Sequence, residues 1–470
     1  MHLLAPILGV AGILVAMRNP LLAPDLREFV AERDEAGLRD FFSGHHPADA
    51  AELLDDLEAE EVMFVLGLLP GRERAAIFDY LETSLQDAVA ERMDDHDLAA
   101  LITYMSHDER AGLMSRLPVE RPDHIFQLLA RAEREDIRRL QSYEEGTTGA
   151  VMTSDYATVP ADESAAAAIE RLRHVAPDRE TIYYCYVVDE DRHLKGFVSL
   201  KNLIIAPAHR RVADIMQRDC VYANVDDDRE ATAEKFAEYD LLALPVVDHE
   251  HRLVGIVTHD DVIDVIVDEA TEDVHRMGGV GPLEYSYLDS SFRQLWLNRA
   301  IWLSILFVAG FLTTWALTEF EGDFQQVPAL VFFIPLIISA GGNCGSQSAT
   351  LIMRALALGE LTPRDWYRVF VREVLMGLSL GLGLGLVGFL RALLTPSDKI
   401  AQGQLFKLSL TIGLAVSAVV LCGNLVGALM PLVLKRLGFD PALMSNPFVA
   451  SLVDVTGIIV YFAIAQAILI

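Results

Sequence analysis

The chain has 470 residues, and its 38 Lys and Arg against 68 Asp and Glu give a formal charge of −30. This acidity excludes nucleic acid as a natural partner, because polyanions are bound by basic surfaces. The four cysteines, at positions 185, 220, 344 and 422, lie too far apart to indicate a CxxC metal site or a disulfide framework.

The acidity is confined to the first 290 residues. Residues 291–470 contain 11 basic and 9 acidic side chains, a charge of +2, which leaves 27 basic and 59 acidic side chains and a charge of −32 in residues 1–290. A surplus of this size destabilises a compact domain by self-repulsion unless cations or partners offset it. We therefore expect a soluble part that binds multivalent cations, although acidity for solubility alone is an alternative explanation.

Residues 1–24 form an apolar extension without the basic segment of a signal peptide, and we assign it no function. Residues 25–148 predict an all-α domain of short amphipathic helices. Apolar residues recur there at i, i+3 and i+4 over 48–57, 72–81, 95–105 and 108–117. The loose recurrence of such units indicates a helical superhelix.

Residues 149–265 contain an internal repeat with a period of 59 residues. Val187-Val188-Asp189 followed by Gly196 returns as Val246-Val247-Asp248 followed by Gly255. Each copy predicts an α/β unit of a strand, an acidic turn, a strand and a helix, preceded by a short strand. The repeat resembles a tandem pair of CBS domains, a regulatory module that often binds adenosine nucleotides, so ATP is a candidate cofactor. Another duplicated β-α-β unit is the alternative.

Residues 266–295 predict a long helix that connects this pair to the C-terminal part, although glycines at 278–281 interrupt its pattern. The helical pattern already begins at residue 260, and acidic residues share one face of it at spacings of i, i+3, i+7 and i+11; they are Asp261, Asp264, Asp268 and Glu272. Like charges at this spacing are mildly destabilising, which favours a functional role. A solvated acidic face is the alternative.

Residues 296–470 contain five apolar stretches that are long enough to cross a bilayer core of about 30 Å as helices. They cover residues 300–318, 327–351, 374–394, 408–434 and 448–470. The positive-inside rule favours a cytoplasmic amino terminus and an extracytoplasmic carboxyl terminus in the plasma (inner) membrane. The basic residues then in the cytosol are Arg293, Arg299, Arg354, Arg364, Arg368, Arg372, Lys435 and Arg436. The acidic loop 319–326 then faces the exterior.

Asp454 is the only acidic residue predicted to lie within a span, because Glu360 and Glu373 are assigned to a loop and a helix end. An ionised side chain at bilayer depth costs roughly 2.5–3.5 kcal/mol on insertion scales, so such a residue faces water or an ion.

Amide side chains accompany Asp454 in the other spans. Asn343 and Gln347 lie in the glycine-rich segment GGNCGSQS of the second span, and Asn424 lies in the fourth. A polar segment at this depth is buried in protein or lines water. Carboxylate and amide oxygens suit a hydrated hard cation, so these residues predict a cation site. Helix packing through the small residues is the alternative explanation of the second span.

The chain as a whole resembles the MgtE family of magnesium transporters over about residues 25–470. The segments that carry the resemblance are ATEDVHRMGG (270–279), GGNCGSQSAT (341–350), GNLVGALMP (423–431) and DPALMSNPFVASLVDVTG (440–457). The resemblance implies a homodimer in the lipid bilayer with one central pore, in which Asp454 of each chain holds a hydrated Mg²⁺ ion. It also implies channel-like uptake that stops when Mg²⁺ binds the acidic cytosolic domains.

The resemblance further implies the regulatory metal ligands. By motif they are Glu230, Asp240, Asp261, Asp264, Glu269, Glu272, Asp273 and Asp440. In the helical domain Asp94, Asp95 and Asp108 are candidates, whereas Gly112 stands where the family has a second acid.

Two other functions stay open: a CBS-regulated anion channel, and a membrane-anchored sensor that transports no divalent cation. An acidic pore lining argues against anions, and an anchor has no use for an acid at depth. An enzyme is not expected, because the sequence contains no nucleophile–base pair or phosphate-cradling loop.

Overall fold

The computed structural model describes residues 22–176, 179–283, 285–395, 404–441 and 445–469. The predicted apolar extension therefore lies almost wholly outside the described residues. The chain divides into two compact units, 1–268 and 269–470. Each unit is described below by itself.

From residue 22 onward, the described part of the first unit opens with ten short helices, in agreement with the predicted all-α domain. They are α1 (Ala23–Glu32), α2 (Glu35–Phe42), α3 (Pro47–Leu54), α4 (Ala59–Leu68), α5 (Gly71–Asp79), α6 (Thr83–Arg92), α7 (Asp95–Ile102), α8 (His107–Arg116), α9 (Arg121–Leu128) and α10 (Arg131–Leu140). Polar caps separate them; the Asp94 carboxylate, for example, accepts a 2.9 Å hydrogen bond from the Asp97 amide at the start of α7. Their apolar faces share one core that includes Leu54, Phe78 and Leu98.

The repeat folds into two three-stranded sheets of the same topology. The elements of the first are β1 (Tyr156–Val159), α11 (Ala165–Val175), β2 (Thr181–Val188), β3 (Leu194–Ser199) and α12 (Leu200–Ile205). Those of the second are α13 (Val212–Ile215), β4 (Ala223–Asn224), α14 (Arg229–Tyr239), β5 (Ala243–Val247) and β6 (Leu253–Thr258). In each sheet the middle strand pairs parallel with the first and antiparallel with the third. The predicted duplication is confirmed.

The two copies are joined by a reciprocal exchange of backbone hydrogen bonds. Thr153, which precedes β1, pairs with Ile256 of the second sheet, and Gln217, which precedes β4, pairs with Phe197 of the first. The repeat glycines make this possible: a Cβ on Gly196 would lie 2.2 Å from the Gln217 carbonyl oxygen, and one on Gly255 would lie 2.8 Å from that of Thr153. Each repeat thus needs a glycine at this position, because the backbone of the other copy packs directly against it.

The connecting helix α15 runs over His259–Met277 and is shorter than predicted. The expectation of helix up to residue 295 is wrong, because Gly279 takes the left-handed conformation (φ +71°) that ends a helix, and the next helix begins at Phe292. The seven residues 259–265 that open α15 follow β6 directly, so the second repeat and the connecting helix are continuous.

Among the described residues of the second unit, five helices are long and apolar enough to cross a membrane. They are α16 (Phe292–Glu319), α18 (Ile334–Ala357), α19 (Trp366–Leu393), α20 (Leu405–Arg436) and α21 (Asn446–Ile468), and short 3₁₀ turns, Pro328–Phe333 and Pro363–Asp365, precede α18 and α19. The helices α16 and α19 begin about two turns before the predicted spans, because hydropathy marks only the apolar part of a helix. The segment 319–326 is not wholly a loop: it contains α17 (Glu321–Gln326), in which buried Asp323 accepts a 2.9 Å hydrogen bond from Gln466.

Glycines allow α20 to pack closely on both neighbours. A Cβ on Gly427 would lie 2.0 Å from the Gly345 carbonyl oxygen of α18, and a Cβ on Gly381 of α19 would lie 2.7 Å from that of Ser417. The glycine series 377, 381, 385 and 388 is buried along α19, which fits a role in helix packing.

Candidate functional site

Asp454 lies in the third turn of α21, on the face that packs against the glycine-rich segment of α18. Its carboxylate Oδ1 is 3.8 Å from the position that a Cβ on Gly342 would occupy, and Ala450, one turn earlier, is 3.6 Å from that position. The side chain is half-buried. The missing side chain at Gly342 leaves this carboxylate uncovered on the side that faces α18.

The amides of Asn343 and Gln347 lie one turn apart on an exposed strip of α18. The Asn343 side chain donates a 3.3 Å hydrogen bond to the hydroxyl of Ser339. The helix therefore presents polar groups next to the glycine face that contacts the helix of Asp454.

Asn424 has a different environment. It is 2% exposed, and its Cβ lies 3.5 Å from the Cβ position of Gly377 on α19. Its Nδ2 finds no hydrogen-bond partner among the described residues. In the single chain Asn424 thus faces α19, whereas Asp454 faces α18.

Glu373 is a further acid within a membrane helix that the sequence did not predict there. It is not at a helix end: it is the eighth residue of α19, half-buried, and its carboxylate accepts a 2.9 Å hydrogen bond from Ser348 of α18. Asp454 is therefore not the only acid among the membrane helices. The glycine series contained a signal for this, because Glu373 lies one turn before Gly377 and so shares the packing face of α19.

In the first unit, acidic residues of α8 and α15 line one cavity of about 590 Å³. They are Asp108, Glu109, Asp261, Asp264 and Asp268, with Gly112, Arg116 and Arg229 also on its wall. Burial, and then the Asp108 charge, raise the pKa of Asp261 to about 8 and that of Glu109 to about 7. Burial also raises the pKa of Asp108. Because these carboxylates repel one another when they are all ionised, a divalent cation bound between them would relieve the repulsion and stabilise their charged forms.

Two further acids close to Asp108 were not predicted from the sequence. Burial raises the pKa of Asp79, in α5, to about 8, with Glu109 and Asp108 adding to it, and burial followed by the Asp108 charge raises that of Glu180, before β2, to about 7. They come from distant parts of the chain, so no local spacing pointed to them.

In the second unit, the last turns of α15 carry Glu269, Glu272 and Asp273. Burial raises the pKa of Asp273, and the nearby charges of Asp440 and Glu269 raise it further. Arg276 forms ion pairs with Glu272 and with Asp440. The structure therefore brings Asp440 to the last turns of the connecting helix.

Glu230 and Asp240 are not brought together within one chain. Both are exposed, and they lie at opposite ends of α14, about 15 Å apart by helix rise. Across the described residues, no group of three or more His, Cys, Asp or Glu side chains has metal-binding geometry.

A small cavity of about 270 Å³ lies within the repeat domain. Its walls include Tyr184, Phe197, Asp219 and Tyr239, and the rings of Tyr184 and Phe197 meet edge to face at 5.3 Å. Tyr186 also lines it, and its buried hydroxyl has no hydrogen-bond partner among the described residues. Aromatic walls with a few polar groups suit a nucleobase.

Family models match most of the chain. A divalent cation transporter model of the MgtE type matches residues 334–464, an MgtE intracellular N domain model matches residues 45–146, and CBS domain models match residues 149–209 and 212–268. A magnesium transporter MgtE of Thermus thermophilus is 41% identical over 457 residues, which cover 95% of this chain and 98% of the relative. One of Enterococcus faecalis is 32% identical over 91% of this chain and 93% of the relative.

Solved structures match the first part of the chain. The soluble part of a magnesium transporter is 32% identical with a TM-score of 0.50, over 53% of this chain and 98% of that one. The cytosolic domain of the Mg²⁺ channel MgtE in complex with ATP is 39% identical with a TM-score of 0.50, over 52% of this chain and all of that one.

Proposed function

The chain belongs to the MgtE family of magnesium transporters, and we propose that it is a channel-like transporter that admits Mg²⁺ down its electrochemical gradient. The observation that carries this proposal is Asp454, a carboxylate on a membrane helix beside the glycine face of α18. Entry needs no pump, because a divalent cation gains about 4.6 kcal/mol per 100 mV of inside-negative potential.

The proposed pore lies between two copies of the chain. One carboxylate does not offset the charge of a divalent ion, whereas Asp454 from each of two chains does so, with Asn343, Gln347 and Asn424 as further candidate ligands of the ion or its waters. The proposed orientation has a cytoplasmic amino terminus in the plasma (inner) membrane, which follows the distribution of basic residues. Transport, and not an enzymatic reaction, is the proposed activity.

Regulation by cytosolic Mg²⁺ is the second part of the proposal. The acids of the 590 Å³ cavity, with those of α15 and Asp440, bind Mg²⁺ when it is plentiful, and the connecting helices then close the inner mouth. When Mg²⁺ is scarce, the acids repel one another over distances below the Debye length of about 8 Å and favour opening. Glu230 and Asp240, which lie far apart in one chain, are proposed to act at contacts between chains.

ATP is proposed to bind the repeat domain in the 270 Å³ cavity lined by Tyr184 and Phe197. The ATP complex of the 39% identical cytosolic domain supports this proposal for the present chain.

Mg²⁺ flux into liposomes that contain the purified protein tests the transport proposal. Asp454→Asn preserves the shape of the side chain and removes its charge, so uptake should fall by at least about tenfold. Glu360→Gln, in the turn between α18 and α19, is the matched control and should retain uptake. Normal flux through Asp454→Asn would exclude Asp454 as the pore ligand and would favour the sensor alternative.

A further inference from the structure

The last turn of the connecting helix carries an arginine that stands between two of the proposed regulatory acids. The Arg276 guanidinium pairs through one nitrogen with Glu272, one turn earlier on α15, and through the other with Asp440, 164 residues later in the chain. The three side chains are 36%, 22% and 34% exposed. A partly buried pair of this kind is screened less by salt than a surface pair, so its charge matters to any ion that binds there.

The end of α15 also contacts the membrane domain directly, because Met277 packs against a cluster that includes Ala349 and Val449. The indole N–H of Trp302 on α16 donates a 2.9 Å hydrogen bond to the hydroxyl of Ser445, which caps α21. The turn at Gly279 lies against the Trp302 ring, and the Gly281 amide donates to the Asn298 carbonyl over 3.2 Å. Arg276 thus belongs to a built contact between α15, α16 and the start of α21.

The charges at this contact do not balance. Glu269, Glu272, Asp273 and Asp440 carry four potential negative charges, against the permanent positive charge of Arg276 and the titratable His275 beside it. The guanidinium engages one oxygen of Glu272 and one of Asp440, which are oxygens that a divalent cation at this site would also attract, directly or through its waters. Because two cations repel each other, the guanidinium and a divalent ion cannot both occupy the space between these carboxylates.

We propose that Arg276 is a tethered counter-ion that competes with Mg²⁺ for Glu272 and Asp440 and so sets the Mg²⁺ concentration at which transport stops. This inference rests on the proposed regulation by cytosolic Mg²⁺. The arginine holds the helix end in place at low Mg²⁺, where four acids alone would repel one another. It also weakens Mg²⁺ binding, because the ion must first displace it. The long, flexible side chain can swing to solvent when the ion arrives.

The test measures Mg²⁺ uptake by the full-length protein in liposomes while Mg²⁺ is titrated on the cytosolic side. Arg276→Gln removes the competing charge, so it should lower the half-inhibitory Mg²⁺ concentration by about tenfold and raise uptake at the lowest Mg²⁺. Arg276→Lys keeps the charge but not the planar guanidinium that reaches both acids. Its half-inhibitory Mg²⁺ concentration should therefore lie between those of the unaltered chain and of Arg276→Gln. Arg293→Gln removes an exposed arginine from the first turn of α16 and should leave the titration unchanged.

Direct binding of Mn²⁺ as a probe, followed by electron paramagnetic resonance, gives a second measurement. It should show tighter binding to Arg276→Gln than to the unaltered chain. If the half-inhibitory Mg²⁺ concentration of Arg276→Gln is unchanged or higher, Arg276 only stabilises the structure and does not compete with Mg²⁺, which overturns the inference. Asp440→Asn separates the two proposals: if it weakens inhibition and Arg276→Gln does not strengthen it, only the inference fails. If Asp440→Asn leaves inhibition unchanged, this cluster does not regulate transport and the inference fails with it.

Discussion

Ser348 on α18 donates a 2.9 Å hydrogen bond to the carboxylate of Glu373 on α19. Both helices pack mainly on α20, so this bond is a direct polar link between them. Ser348 is 5% exposed and follows Gly345 by three residues. The hydrogen bond therefore fixes how α18 is rotated about its own axis relative to α19. This rotation determines which way the exposed side chains of Asn343 and Gln347 face.

Removing this link should alter transport and not only stability. Ser348→Ala and Glu373→Ala should each raise the apparent KM for Mg²⁺ by several-fold, and the double variant should be no worse than the worse single variant, because both remove one interaction. The matched control is Ser417→Ala, whose hydroxyl donates to the Gly381 carbonyl between α19 and α20. Additive effects on KM would mean that the two side chains act separately.

The glycine contact between α18 and α20 predicts a sharp difference between two alanine substitutions. A Cβ on Gly427 would lie 2.0 Å from the Gly345 carbonyl oxygen, whereas one on Gly383 would meet no atom within 4 Å. Gly427→Ala should therefore destabilise the membrane domain by about 1–3 kcal/mol or more, as overpacking does. Gly383→Ala should leave the melting temperature in detergent unchanged or raise it. Equal melting temperatures would contradict this packing.

The sequence was most informative where a pattern was periodic. The i, i+3, i+4 spacing predicted α3, α5, α7 and α8 to within a few residues but not α4 and α6 between them, and the 59-residue repeat predicted both sheets. Asp440 was named as a metal ligand from the family motif alone, and no spacing in the sequence predicted its ion pair with Arg276. The exchange of Thr153 and Gln217 between sheets was not predictable, because it depends on pairing between residues about 100 and 20 positions apart. Glu373 was misassigned because hydropathy ends a span at the first charged residue, although the helix continues around it.

The raised pKa values of the first unit predict that protons compete with Mg²⁺ at the 590 Å³ cavity. The pKa of Asp261 is about 8 and that of Glu109 about 7, with Asp108, Asp79 and Glu180 nearby and His107 and Arg116 opposing them. Metal binding needs deprotonated carboxylates, so lowering the cytosolic pH from 8 to 6 should raise the half-inhibitory Mg²⁺ concentration by more than about tenfold. In Asp108→Asn with Asp261→Asn this pH dependence should shrink.

The same pKa values predict how stability varies with pH. A carboxyl group whose folded pKa is raised binds protons more tightly in the folded state, so the contribution of these acids to stability is complete below about pH 4 and is lost as pH rises from about 4 to 8. Mg²⁺ should restore stability at pH 8. Thermal unfolding of the full chain at pH 5 and pH 8, with and without Mg²⁺, checks this sign; greater stability at pH 8 without Mg²⁺ would contradict it.

The aromatic wall of the 270 Å³ cavity predicts the residue on which ATP affinity depends. Tyr184→Ala removes a ring that lines the cavity and should weaken ATP binding by about tenfold, since stacking on a base is worth about 1–3 kcal/mol. Tyr183→Ala is the matched control, because Tyr183 is 64% exposed and lies outside the cavity wall. Calorimetric titration of ATP into the full-length protein measures both. An equal loss of ATP affinity in the two variants would mean that ATP binds outside this cavity.

The acidic face of α15 predicts a loss of Mg²⁺ inhibition when its charges are removed. Asp261→Asn, Asp264→Asn and Glu272→Gln together remove three carboxyl groups from the proposed regulatory sites, so the half-inhibitory Mg²⁺ concentration should rise by at least about tenfold, while uptake at low Mg²⁺ persists. A control with the same number of acids removed replaces three exposed acids elsewhere in the first unit, Asp191, Asp214 and Glu234. If both triple variants shift the titration equally, only the total charge of the first 290 residues matters. If the α15 variant alone loses inhibition, the acids of this helix bind the cytosolic Mg²⁺ that stops transport.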